Sequence, residues 1–168
     1  MQYSPRKMDS RKPDDTLFFS LEQVVKGMGM SLVELNVYHG KGRGGNPPSV
    51  QVRVIVYKDG VTGVEDCSRV HRGLLPRLEL AFPGQEIYLE VSSPGIDRTI
   101  KDGSEFFHYI GRGVKCYRTD ISDWTGGILV AVDEKKIVLR CNTKCSLASE
   151  ETELSYEVIA KAKLASDV

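Results

Sequence analysis

Two sets of residues in this sequence have the types that perform or support covalent chemistry. Ser92 and Ser93, with His39, His71 and His108 as candidate bases, are the ingredients of a nucleophilic site. However, "VSSPG" is not the G-x-S-x-G elbow that exposes a serine at the end of a strand. Nor does the pattern orient a histidine: His39 falls in a loop, His71 on a helix and His108 near a domain boundary. Ser93 reads more simply as a turn former, with Asp97 accepting from nearby backbone N–H groups. Cys67 and His71 at i, i+4, together with Cys141-x₃-Cys145, supply the ligand types of a Cys₃His zinc site. Yet Cys67 lies on the apolar stripe of its helix, where a free cysteine acts as a small hydrophobe, and the second pair belongs to another domain. No catalytic residue, metal or cofactor is expected.

Non-covalent recognition is a better match to the basic residues. Arg98 and Lys101 flank the run Ser92-Ser93-Pro94-Gly95-Ile96-Asp97. Arg112, Lys115 and Arg118 follow, and Lys161 and Lys163 alternate near the C-terminus. If the strands bearing the last two groups pair, these cations merge into one patch, set against the acidic Asp133, Glu134 and Glu150–Glu153. A solvated charged face accounts for the same residues, so both readings stand. The loop "GKGRGGN" lacks the phosphate-cradling G-x-x-x-x-G-K-[ST] pattern and joins two strands. Its Lys41 and Arg43 suit an RNA backbone, which needs mobile positive charge; an ordinary hairpin loop fits as well. Tyr38, Tyr57 and Tyr88 dot one sheet face, but Glu34, Glu86 and Glu90 beside them disfavour base stacking there.

Composition limits the partners. The chain has 168 residues, 27% of them charged, and a formal net charge of zero. Any RNA contact must therefore come from a local patch and not a global field. No apolar run reaches the length of a membrane span, and the N-terminus lacks the apolar core of a signal peptide. A cytoplasmic chain with reduced cysteines is expected.

Elements that would position these residues are legible in the periodicity. Residues 1–13 read as a mobile tail. Asp14, Asp15 and Thr16 are N-cap candidates for a helix whose face is Leu17, Leu21, Val24, Val25 and Met28, stopped by Gly27 and Gly29. Val33, Leu35 and Val37 alternate as a strand, as do Val50, Val52, Val54 and Val56. Thr62 and Glu65 have capping-box spacing. A second helix follows, with Cys67, Val70, His71, Leu74, Leu75 and Leu78 on one face; Pro76 should kink or shorten its end. Ile87, Leu89 and Val91 form a third strand. Ser93 precedes proline and is driven extended, and Gly95 is free to take positive φ. This order, over residues 14–92, is an αββαβ two-layer domain. Residues 93–101 are a linker. "DGSEFFHYIG" should be a short helical turn, and strands near 113–119, 125–132, 136–141, 151–155 and 160–165, with a 3₁₀ turn before the last, complete a five-stranded SH3/Sm-like barrel over 102–168. Gly126 and Gly127 sit where a barrel strand must bend.

Four stretches also carry a family resemblance: "LEVSSPGIDR", "GVTGVEDCSRVHRGLLPRLE", "YIGRGVKCYRTDISDWTGGILVAVDEKKIVL" and "ELSYEVIAKAKL". Together they resemble the bacterial ribosome maturation factor RimP family over roughly residues 16–165. The resemblance implies the same two-domain α+β fold. It further implies a non-catalytic assembly factor that binds the free small ribosomal subunit through ribosomal RNA and a small-subunit ribosomal protein, without DNA, membrane or cofactor, and monomeric when free. Ser92 to Arg98 would then fix the domain junction and present Arg98 to a partner. The alternative is a general RNA- or protein-binding module with an Sm-like barrel.

Overall fold

The computed structural model describes residues 13–42, 47–58, 62–95, 97–141 and 150–165. The chain is mixed α+β and divides into two compact units, one ending at Pro94 and the other beginning at Gly95. Among the described residues no helix is long and apolar enough to cross a membrane. Residues 1–12 of the expected tail and Cys145 lie outside the described residues, while Pro13, read as part of that tail, already opens the first helix.

In the first unit, helix α1 (Pro13–Gly27) is followed by strands β1 (Ser31–Gly40) and β2 (Ser49–Tyr57), helix α2 (Val64–Ala81) and strand β3 (Glu86–Ser92). Asp15 and Thr16 fall inside the first turn of α1. The helix closes where expected: the Met30 N–H reaches back to the Val25 carbonyl (3.2 Å) and Gly29 takes φ 75°, a conformation that glycine adopts without steric cost. β1 pairs antiparallel with β2, and β2 pairs parallel with β3. The alternation in β2 works as its sequence demands, with Val50, Val52, Val54 and Val56 all fully buried against Leu21 and Val25 of α1 and Val70, Leu74 and Leu78 of α2.

Two details of α2 differ from expectation. Its N-cap is Gly63, whose N–H donates to Asp66 (3.2 Å), while Thr62 instead accepts from the Lys58 N–H (3.0 Å). The box is thus Gly63–Asp66, one residue on from Thr62–Glu65. That contact is the main reason why the Asp66 carboxyl sits below its usual range. Secondly, α2 runs five residues past Pro76. Position 76 faces solvent, opposite Leu74 and Leu78, so the lost N–H leaves a carbonyl that water can reach and the helix need not stop there.

The second unit contains β4 (Thr99–Ile100), a 3₁₀ helix η1 (Gly103–Tyr109), β5 (Gly113–Arg118), β6 (Asp123–Val132), β7 (Lys136–Cys141), β8 (Glu150–Ser155), a 3₁₀ turn η2 (Tyr156–Val158) and β9 (Ile159–Leu164). They form one six-stranded sheet in the order β4-β9-β5-β6-β7-β8. The expected five strands are present, but Thr99-Ile100, read as linker, adds a sixth by pairing with β9. The ladder ends at β4 and β8, so no closed barrel forms among the described residues. Val114, Cys116, Leu129, Ile137, Leu139, Leu154, Ile159, Ala162 and Leu164 are buried. Phe106 of η1 is also buried and stacks on Tyr156 at 5.9 Å. Asp102 caps η1 by accepting from the Ser104 N–H (2.8 Å).

Candidate nucleic-acid interface

The signature run leaves β3 at Ser92, and Ser93, Pro94 and Gly95 continue without regular structure. The Arg98 N–H donates to the Gly95 carbonyl (3.1 Å), closing a turn. Gly95 does not use the left-handed conformation open to it, and a Cβ built there would meet open space. Gly95→Ala is therefore expected to leave stability within about 0.5 kcal/mol of wild type, or to raise it slightly by restricting the unfolded chain. Urea denaturation checks this; a loss above about 1 kcal/mol would mean that glycine is required. Ser92 and Ser93 make no hydrogen bond to a histidine among the described residues, and His39 packs edge-on to Phe82 at 5.7 Å.

Arg98 turns inward. Its Nε donates to Glu105 Oε2 and its Nη2 to Oε1, each at 3.0 Å. The two side chains are 9% and 5% exposed. Glu105 also accepts from the Lys101 N–H (3.3 Å). This corrects the expectation that the turn presents Arg98 to a partner: the guanidinium neutralises a buried carboxylate and fastens the approach to β4 onto η1. Burial, the largest influence, pushes the Glu105 carboxyl above its usual range, against the opposing pull of Arg98.

Arg118 is engaged as well. Its Nε donates to Asp120 at 3.0 Å, and this contact holds the Asp120 carboxyl below the usual carboxylate range. Both residues shape the connection between β5 and β6, in which Ser122 takes φ 53° and Asp123 accepts from the Trp124 N–H (2.7 Å). This connection sets the register of the two strands.

What that register assembles was only half legible in the sequence. Lys115 of β5 stands directly opposite Lys163 of β9, and Tyr117 opposite Lys161. Across the other edge of β5, Tyr117 faces Trp124 of β6. Side chains opposed in register share a face. The inward positions between them are Val114, Cys116, Ala162 and Leu164, so Lys115, Tyr117, Trp124, Lys161 and Lys163 occupy the outer face together. Tyr117 meets the Trp124 ring edge-on at 5.5 Å, and Lys163 Nζ lies over that ring at 5.6 Å. Trp124 is 42% exposed. Among the described residues neither Lys161 nor Lys163 has a carboxylate partner. At the far edge of the sheet, by contrast, Lys136 pairs with Glu153 (2.7 Å) and Arg140 with Glu151 (3.0 Å). Among the described residues positive charge is thus neutralised at β7–β8 and left standing at Lys161 and Lys163 of β9. Trp124 and Tyr117 were not singled out from the sequence; their spacing of seven residues is the signal, but it becomes one only when the turn is known.

The remaining candidates are dispersed. Lys101 is exposed and Arg112 half-buried; Lys41 is exposed at the end of β1, in the first unit. Arg43 lies outside the described residues. Asp97 is exposed. In the first unit, Tyr38 and Tyr88 are about half exposed on the face of the sheet that also bears the Arg53–Glu90 ion pair (3.0 Å). Cys67 and His71, with Val64, Ser68, Arg72 and Val91, line a groove of about 350 Å³. No group of three or more metal-ligating side chains occurs among the described residues. Cys116 is buried and its thiol is pushed up to about 12, which suppresses thiolate chemistry.

Residues 20–97 match the family model for the RimP N-terminal domain. Two relatives named Ribosome maturation factor RimP, from Borrelia turicatae (strain 91E135) and Borrelia hermsii (strain HS1 / DAH), are each 26% identical over 144 residues, covering 86% of this chain and 90% of the relative. A solved chain of the proposed zinc transporter CzrB covers 49% of this chain and 93% of its own, at 22% identity and a TM-score of 0.34; a likeness that weak carries no argument. The family model covers residues 20–97, including the run from Ser92 to Asp97, and the relatives cover 86% of the chain; together they support the RimP family.

Proposed function

We propose that this protein is a non-catalytic ribosome maturation factor that binds the free small ribosomal subunit, contacting ribosomal RNA and a small-subunit ribosomal protein, and acts in the cytoplasm as a monomer when not bound. The relatives named Ribosome maturation factor RimP support the role. The observation that carries the RNA contact is the outer face of β5 and β9, where Lys115, Lys161 and Lys163 stand together in a chain of zero net charge. Arg98 and Arg118 serve the scaffold of this face. Lys101, Arg112, Lys41 and Arg43 are supplementary contacts, and residues 93–101 are the joint between an αββαβ domain and an opened relative of the SH3/Sm barrel. Five consecutive strands, η2 before the last and the pairing of β5 with β9 support that reading of the second unit.

Co-sedimentation tests the proposal. The full chain should travel with free small subunits and not with translating ribosomes, and should dissociate as salt rises. The triple variant Lys115→Glu, Lys161→Glu, Lys163→Glu should lose the association while keeping its cooperative unfolding. Equal recovery with both particles would instead favour a general RNA-binding module, a reading that the sequence-tolerant chemistry of lysine and aromatic side chains also permits.

A further inference from the structure

We infer that Trp124 is a stacking platform for an unpaired nucleotide of single-stranded RNA, with Lys163, Lys115 and Lys161 contacting the adjoining phosphates; this deepens the RNA-binding part of the proposed function and rests on it. Four observations point there. Trp124 is 42% exposed although it lies within a paired strand, not at a loop tip. Its ring is held edge-on by Tyr117, which lowers the ordering cost of binding. A cation already lies over the indole at 5.6 Å, a contact that is weak at an exposed site and that Lys163 can exchange for a phosphate by swinging its long stem. Finally, Lys115 and Lys163 are opposed in register, which places two long basic side chains on the face that carries the indole.

This chemistry selects its ligand. An aromatic platform ringed by lysines binds a base by its π-face and the backbone by charge, without reading the base edge. A duplex buries its bases in the stack and offers the platform nothing. An acidic peptide satisfies the lysines but leaves the indole unused.

Trp124 is the sole tryptophan of the chain, so its fluorescence reports the proposed contact directly. Titration of the full-length protein with a short single-stranded oligoribonucleotide should quench the indole saturably. The logarithm of affinity should fall against log salt with a slope of about −2, from three phosphate contacts at roughly 0.7 each on single strands. Duplex RNA of equal length and polyglutamate should quench little. With labelled RNA, Trp124→Ala should weaken binding roughly 5- to 100-fold, whereas Trp124→Phe should retain most of it. Lys163→Ala should reduce the slope by about 0.7 with quenching intact. Quenching by duplex or by polyglutamate equal to that by single strands overturns the inference. So does an unquenched indole in a protein that still co-sediments with small subunits, an outcome that leaves the proposed function standing. Failure of the unaltered protein to co-sediment would strike the proposed function instead.

Discussion

Arg98→Ala is expected to destabilise the second unit by about 3–5 kcal/mol, the cost of leaving one partner of a buried ion pair unneutralised. The fork from Arg98 to Glu105 has two 3.0 Å contacts and almost no solvent. The pair itself is not a large net source of stability, because burial outweighs the attraction and raises the Glu105 carboxyl. The asymmetry lies in removal: the carboxylate keeps its desolvation cost and loses its compensation. Arg98→Lys should recover only part, since an ammonium cannot reproduce the planar fork. The double variant Arg98→Met, Glu105→Leu should recover most, because neither charge remains.

The pH dependence has a definite sign. A carboxyl whose folded pKa is raised makes folding most favourable below its unfolded value, near 4.3, and that contribution is lost as pH rises through the folded value. Without the guanidinium, the folded pKa of Glu105 rises further. The penalty of Arg98→Ala should therefore shrink on moving from pH 8 to pH 5. Trp124 lies in the same unit, so its fluorescence follows the unfolding in urea. A variant within about 1 kcal/mol of wild type, or a penalty that ignores pH, would refute this account of the signature arginine.

Several features were legible because they are local. The alternation of Val50 to Val56 and the 70, 74, 78 spacing of α2 each depend on one segment meeting one core. The features that escaped depend on pairing between segments. Arg98 shows its charge in the sequence, but not that Glu105, seven residues later in a 3₁₀ helix, will bury it. β4 is two residues long, too short for any periodicity. The cap of α2 moved one residue because Thr62 was taken by the Lys58 N–H. The lysine groups were expected to merge, and three of them share a face. Trp124 joined them through the register of β5 and β6, which the strained connection at Ser122 fixes. Whether a sheet closes depends on curvature accumulated over all its strands, which no single segment encodes.

Gly127→Ala should cost the second unit about 2–3 kcal/mol, while Gly73→Ala should change stability by less than about 1 kcal/mol, although the contact at Gly73 is the tighter one. A Cβ at Gly73 would collide with Met28 Cε. That methyl is the end of a flexible, half-buried side chain and can rotate away, and alanine favours the helix by about 1 kcal/mol over glycine. A Cβ at Gly127 would lie 2.7 Å from the Arg140 carbonyl oxygen and 3.0 Å from its carbon. Those atoms belong to the backbone of β7, held by pairing with β6 on one side and β8 on the other, so relief requires the strands to part. Gly127 stands opposite Val114 of β5, and only three residues from Trp124. A shift of β6 at this point therefore disturbs the register that sets Trp124 against Tyr117. Urea unfolding followed by Trp124 fluorescence should show a lowered midpoint for Gly127→Ala, and the folded variant should bind single-stranded RNA more weakly. An unchanged midpoint in Gly127→Ala, or a larger loss in Gly73→Ala, would show that the strands can yield where the helix cannot.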